Sequence, residues 1–319
     1  MRWIKKEAAH IIKSKEAFMC MYPNYPMAAQ VYDDIVFQTK SALDTPKKLQ
    51  EAVYVLAVYY ILLTEEGTVT PREIYYRGKS LFCTPRVIGR VLDRIAERLG
   101  VDLTYLNIAP SLKGLVYGKC VIKKPDSTQF LSGLSIIPRM DNVEYVATSA
   151  NTVLVVEKEA IFNNIIQAVS LIETATGKEL LVVTGKGYPC GNTLRLLMLL
   201  SSARVFGLFD CDPHGLNIYH VYKNGSKKRP HLRVPNLERI GVFINEIPAT
   251  EELLPIQNGS PEHSLLRNIS NFCDESLALD IKTMLNCQKK ASIENVISSI
   301  PIPQYLIAKL KEHATFCTQ

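Results

Sequence analysis

Two aspartates stand one residue apart at the end of an apolar run, "VFGLFDCDPHG" at 205–215, where Asp210 and Asp212 follow the hydrophobic stretch. A third acid, Glu157, ends another apolar run, "TVLVVE". Carboxylates held close together repel, which costs free energy unless a cation bridges them. All-oxygen ligation suits a hard ion such as Mg²⁺. Such an ion keeps waters and binds substrate phosphates, so the chemistry expected is metal-assisted phosphoryl transfer.

Asp-x-Asp after a strand also fits a cap or a turn, and "DPHG" is good turn chemistry. Haloacid-dehalogenase-type phosphatases use Asp-x-Asp as well, but with Thr or Val two residues after the second Asp, where this chain has His214. "TGKGYPCG" is neither G-x-G-x-x-G nor G-x-x-x-x-G-K-[ST], so no nucleotide site is expected there.

A second constellation is "REIYYRG". Arg72 and Tyr76 are four apart and share a face of a helix. A tyrosine can attack a phosphodiester and form a phosphotyrosyl bond. Its phenol titrates near about 10, so it needs a base, a cation or a metal beside it. Arg72 offers a planar fork for the scissile phosphate. With 15 tyrosines in the chain, Tyr75 and Tyr76 also fit as core residues of an amphipathic helix.

The elements that must position these groups are legible in outline. "TPREIYYRGKS" carries Thr70 as N-cap, Pro71 at the first helical position and Glu73 to complete a capping box. "TPRVIGRVLDRIAERLG" starts in the same way, with an apolar stripe through Val87, Ile88, Val91, Leu92, Ile95 and Leu99 and Gly100 as its stop. A helix over 48–64 precedes them, and the extended pieces "LTYLNIA" and "GLVYGKCVI" follow. Two short helices and then a hairpin make a winged helix-turn-helix pattern over 47–125, which suggests nucleic-acid binding. Residues 126–150, polar and irregular, read as a linker. From 151 to 319 strands alternate with helices: "TVLVVE", "KEAIFNNIIQAVSLIE", "ELLVVTGKG", "NTLRLLMLLSS" and "RVFGLFD". Continuous apolar strands alternating with helices predict a parallel sheet covered on both faces. Ligands bind beyond the carboxyl ends of such strands, so Glu157, Asp210 and Asp212 are expected to converge at one edge.

The chain has 319 residues and a formal net charge of +6, which permits a polyanionic partner without demanding one. Basic clusters lie at Arg2, Lys5, Lys6, Lys13 and Lys15, on a predicted helix within a 1–46 arm, and at Lys223, Lys227, Lys228 and Arg229. The eight cysteines form no CxxC and no zinc spacing. No secretory leader is visible, and "AVYVLAVYYILLT" is too short to span a bilayer. An intracellular protein with reduced thiols and no membrane contact is expected.

Taken in order, "REIYYRG", "VLVVEKEAIF", "LVVTGKGYP", "VFGLFDCDPHGLNIY" and "YKNGS" resemble DNA topoisomerase VI, in its A-type chain, and the eukaryotic relative of that chain, the meiotic double-strand-break transesterase. The likeness runs from about residue 48 to at least 245, and "VEKEAIF" and "TGKGYP" look more like the meiotic branch. The resemblance implies a two-domain α/β protein, an α+β winged helix of the catabolite-activator type plus a Toprim-type parallel α/β sheet. It implies a homodimer in which the tyrosine of one protomer faces the metal site of the other. Each strand of duplex DNA would be cut by transesterification, leaving a 5′-phosphotyrosyl end.

Carried over by motif, Tyr76 is the nucleophile and Arg72 its assistant. Glu157, Asp210 and Asp212 are the Mg²⁺ ligands, and Glu159 is a supporting acid. Lys113 of "LKGL" matches a basic position in the family's wing and, with Lys186 of "TGKG", is a DNA contact. Implied partners are double-stranded DNA, other recombination-initiation proteins and a topoisomerase VI B-like subunit, in the nucleus. The alternatives are a topoisomerase VI A-type chain working with a separate ATPase, a Toprim nuclease that uses water, and a non-catalytic DNA-binding scaffold. Cys190 stands where the family often has an acid, and His214 where it has an aromatic.

Overall fold

The computed structural model describes residues 51, 55, 58, 69–99, 108, 111–200, 203–226, 229–248, 251–271 and 275–315. The expected basic arm at 1–46, most of the 48–64 helix and "LTYLNIA" apart from Ile108 lie outside them. The chain divides into two compact units, Met1–Ser111 and Leu112–Gln319.

In the first unit, α1 (Pro71–Arg77) begins as the sequence predicts. The Thr70 hydroxyl accepts the Glu73 N–H at 3.2 Å, and the Glu73 carboxylate accepts the Thr70 N–H at 2.6 Å. Helix α2 (Pro85–Leu99) packs against α1. Ile74, Phe82, Ile88, Val91 and Leu92 are buried, as are Val55 and Val58.

In the second unit the strands are β1 (Leu115–Tyr117), β2 (Cys120–Lys124), β3 (Ser127–Leu131), β4 (Leu134–Ile136), β5 (Tyr145–Ala147) and β6 (Thr152–Val156). Helices α3 (Glu159–Gln167) and α4 (Val169–Thr176) lead to β7 (Leu180–Thr184). Then come α5 (Gly191–Leu199), β8 (Arg204–Leu208), α6 (Pro213–Asn224) and β9 (Leu237–Gly241). The C-terminal part adds β10 (Leu254–Pro255), α7 (Pro261–Ser270), α8 (Glu275–Cys287), β11 (Lys289–Lys290), α9 (Ile293–Ile297) and α10 (Ile302–Thr315).

One six-stranded sheet has the order β4-β1-β7-β6-β8-β9, with β6, β7, β8 and β9 parallel. Every residue of β6 and β7 is buried, which explains their unbroken apolar runs. Each such aliphatic side chain contributes about 1.5–3 kcal/mol by leaving water. The stretch read as one helix over 158–173 is two, because Ala168 (φ −109°, ψ 11°) leaves helical geometry between α3 and α4. Helix α10 packs against α3 and α4, and α6 against α7. Strand β7 lies on one side of β6 and β8 on the other, so the chain reverses its winding beside β6. A crevice at such a switch point is where open α/β sheets take ligands.

Two expectations for the middle of the chain are corrected. "GLVYGKCVI" forms no hairpin within a 47–125 unit. Its first half is β1, antiparallel to both β7 and β4, and its second half is β2, paired with β3 and β5. The division between units therefore falls after Ser111 rather than at 125. Nor is 126–150 a linker: it contains β3, β4 and β5, short strands whose pairing partners are supplied by other segments. No helix among the described residues is long and apolar enough to cross a membrane.

Candidate metal and DNA-cleavage site

Because β6 and β8 are paired in parallel with Val156 opposite Leu208, the residues that leave their ends emerge together. The Glu157 N–H donates to the Leu208 carbonyl at 3.1 Å. Two residues further on, the Asp210 N–H donates to Oε2 of Glu157 at 2.9 Å. Asp210 is itself almost fully buried. Its Oδ1 accepts the Ile293 N–H, from the start of α9, at 3.0 Å. Its Oδ2 pairs with Lys158 Nζ at 2.7 Å. That ammonium also reaches Oε2 of Glu294 at 2.5 Å.

Asp212 has turned out of the strand to become the N-cap of α6, where its Oδ1 accepts the Gly215 N–H at 2.6 Å. The cap reading of Asp-x-Asp is thus realised by the second aspartate, not the first. One carboxylate oxygen serves the cap, and the charge of Asp212 still acts on both Glu157 and Asp210.

The electrostatics are those of buried acids crowded together. Burial, and then the charge of Asp210, push the Glu157 carboxyl up to about 7. Burial likewise raises Asp210, against the hydrogen bond and charge of Lys158. Burial works against the Lys158 ammonium, but its bonds to Asp210 and Glu294 hold its pKa above the ordinary lysine value. Among the described residues, no three His, Cys, Asp or Glu side chains stand close enough to hold one ion between them. The Glu157 carboxylate meets the backbone N–H of Asp210, and the charges of Asp210 and Asp212 both act on it. The hard carboxylate oxygens of these acids are the donor type that suits a divalent cation of the Mg²⁺ kind, although the three are not gathered round one point.

The remaining expected groups fall in two places. In the first unit Tyr76 is 66% exposed on α1, its ring edge-on to Tyr75 at 5.4 Å, and Arg72 is exposed on the same helix. In the second unit Lys186 takes a left-handed backbone (φ 54°), with its N–H on the Thr184 hydroxyl at 3.0 Å and its Nζ on Glu159 at 2.8 Å. Glu159, read as a supporting acid, therefore holds Lys186. Lys113 belongs to this unit rather than to a wing. It donates to the Tyr188 carbonyl at 2.8 Å, and burial lowers its pKa.

The loop that carries Lys186 is anchored from below. Asn217 of α6 donates to the Tyr188 hydroxyl at 2.6 Å, and a Cβ on Gly185 would come 2.3 Å from the Tyr222 hydroxyl. Cys190 occupies the N-cap position of α5. Burial opposes its thiolate, but hydrogen bonds from Thr193, Asn192 and Gly114 outweigh it and lower the pKa. His214 is exposed in the first turn of α6.

Sequence reasoning did not find Lys158, Ile293 or Glu294. Lys158 lies inside "VEKEAIF", next to an expected ligand, so a signal was present. Ile293 lies 83 residues from Asp210, with no local pattern to link them.

Two family models match this chain. The Toprim domain of the topoisomerase 6 A-type chain and Spo11 matches residues 152–310, and "Type IIB DNA topoisomerase" matches 47–108. The meiotic recombination protein rec12 of Schizosaccharomyces pombe is 28% identical over 269 residues, 81% of this chain and 75% of that protein. A probable meiosis-specific SPO11 homolog of Encephalitozoon cuniculi is 33% identical over 202 residues, 60% of this chain and 66% of that protein. The A3 chain of DNA topoisomerase 6 from Oryza sativa subsp. indica is 26% identical over 324 residues, 91% of this chain and 71% of that protein.

Proposed function

The chain belongs to the family of Spo11 and the topoisomerase 6 A-type chain, and from that premise we propose that it initiates meiotic recombination by cutting both strands of duplex DNA through tyrosine transesterification. It is an enzyme of the type IIB topoisomerase class.

The nucleophile is Tyr76, whose exposure on α1 leaves it open to a DNA phosphate. Its Oη bonds to phosphorus, the bond from phosphorus to the 3′ oxygen breaks, and the phenolic proton is released. The 3′ oxygen gains a proton and departs as a hydroxyl, and the 5′ phosphate stays on the tyrosine. One phosphoester replaces another, so this chain needs no ATP for the step. Arg72 binds the scissile phosphate with its fork.

Glu157, Asp210 and Asp212 would hold Mg²⁺. When bound, the ion supplies positive charge that stabilises the phosphate and the departing oxygen. The single observation that supports this reading is the contact between Glu157 Oε2 and the Asp210 N–H at 2.9 Å, which ties the Glu157 carboxylate to the backbone that bears Asp210 at the sheet's switch point. Lys186 and Lys113 are the lysines that would reach the DNA backbone, each by exchanging its present partner, the Glu159 carboxylate or the Tyr188 carbonyl, for a phosphate. The active species is a homodimer working in the nucleus with other recombination-initiation proteins and a topoisomerase VI B-like subunit.

A second reading is a topoisomerase VI A-type chain, favoured by the likeness to the rice A3 chain over 91% of this one. It predicts ATP-dependent decatenation once the separate ATPase is added.

The test is made in the native cells during sexual development. Tagged protein is immunoprecipitated under denaturing conditions and any attached DNA is labelled at its free 3′ ends. Label that vanishes in Tyr76→Phe is the expected result. Label that persists in Tyr76→Phe transfers the role to another residue, with Tyr75 next in line.

A further inference from the structure

Lys158 is a fixed positive charge at the centre of the acidic site, and the proposed reaction gives it no part. It follows Glu157 directly and occupies the N-cap position of α3, where its side chain caps nothing. Its Nζ bridges two carboxylates that differ in kind. Asp210 is buried and expected to ligate the metal. Glu294, whose side chain is 56% exposed, comes from α9 and is expected to ligate nothing. Ile293, the neighbour of Glu294, fixes the other oxygen of Asp210 through its N–H at 3.0 Å. The start of α9 therefore orients the acid that Lys158 covers and, one residue later, supplies a second acceptor for the same ammonium.

We propose that Lys158 is a tethered cation that competes with the catalytic metal for Asp210 and shifts onto Glu294 when the metal enters. This rests on the reading of Glu157, Asp210 and Asp212 as metal ligands. An ammonium and a divalent cation repel strongly at hydrogen-bond separations, so both cannot share Oδ2 of Asp210. Nζ already lies 2.5 Å from Glu294, so it can leave Asp210 without losing its charge partner. In this arrangement Lys158 lowers the metal affinity of the site, and Glu294 limits how far it is lowered.

The experiment titrates the full chain with Mn²⁺ alone, at fixed pH and salt, and measures free ion by electron paramagnetic resonance. Lys158→Met is expected to bind Mn²⁺ about tenfold more tightly than wild type, since a competing charge has gone. Lys158→Gln, which keeps hydrogen bonding, should shift affinity the same way and stands in if the Met variant fails to fold. Glu294→Gln should weaken binding in the wild-type background, because the ammonium then has Asp210 alone, and should have no effect once Lys158 is Met.

Unchanged or weaker Mn²⁺ binding in both Lys158 variants overturns the proposal, as does a Glu294→Gln effect of equal size with and without Lys158. Asp210→Asn separates this from failure of the metal reading. If that variant binds Mn²⁺ like wild type, the acids are not the metal site at all. If it loses binding while the Lys158 variants show no gain, the site stands and the competition does not.

Discussion

The backbone N–H of Asp210 lies 2.9 Å from Oε2 of Glu157, so a residue leaving one strand holds the carboxylate that leaves the next. The contact spans 53 residues of sequence. It sets the position of both acids without any side chain from Asp210, and so leaves that carboxylate to Ile293 and Lys158.

Glu157 gives a pH signature. Burial, and then the charge of Asp210, raise its carboxyl from an ordinary 4.5 to about 7. A carboxyl that holds its proton more tightly in the folded chain favours folding most at low pH. Its contribution is present below pH 4.5 and is lost as pH rises to about 7. The loss is ~3 kcal/mol at most. In a chelating buffer, melting temperature should fall over that window in wild type, and the fall should be smaller in Glu157→Gln. At pH near 8 the variant should melt several degrees higher. Superimposable profiles would remove the basis for a raised pKa at Glu157.

Asp212 has two jobs that can be separated. Its Oδ1 caps α6 through the Gly215 N–H. Asparagine caps about as well as aspartate, whereas alanine costs ~1 kcal/mol. Asp212→Asn should therefore melt like wild type yet yield no tyrosine-linked DNA, and Asp212→Ala should also lose a few degrees. Wild-type levels of adduct from the Asn variant would reduce Asp212 to a cap alone.

Gly215 is needed for the shape of the turn. A Cβ there would stand 2.4 Å from the Asp210 carbonyl oxygen and 3.0 Å from both the Asp210 carbonyl carbon and Cβ. The backbone at the end of β8 would have to move, so Gly215→Ala should cost about 1–3 kcal/mol in urea denaturation and displace Asp210. Gly89, inside α2 with nothing within 4 Å of an added Cβ, is the control. Gly89→Ala should stabilise by up to about 1 kcal/mol. Equal stabilities of Gly215→Ala and wild type would contradict the crowding.

Arg72 separates charge from shape. It is exposed on a short helix, so substitution should change stability by no more than about 0.5 kcal/mol. Arg72→Lys keeps the charge but loses the fork that matches two phosphate oxygens. Adduct yield in cells should drop about tenfold or more in Arg72→Lys, as charge-assisted paired bonds are among the strong ones. A yield equal to wild type would mean that a point charge suffices there.

Much of the scaffold was readable because its signals are local. The capping box of Thr70 and Glu73 closes over three residues. Strands β6 and β7, and β8 beyond Arg204, read as apolar runs because a parallel strand covered on both faces has no exposed side to make polar. The acids at their ends follow from the same pattern, and the five ordered motifs led to the family. The tertiary structure alone decided what depends on pairing between distant segments. Strand β1 could not be read as an addition to β7, since three residues of "LVY" carry no sign of their partner. The strands within 126–150 are short and largely exposed, so no hydrophobic alternation marks them. Asp210 and Asp212 look equivalent in sequence, yet one is buried against Ile293 and Lys158 while the other caps a helix. Lys158 and Glu294 meet across 136 residues because the end of β6 and the start of α9 are folded together, and no local pattern encodes a contact of that span.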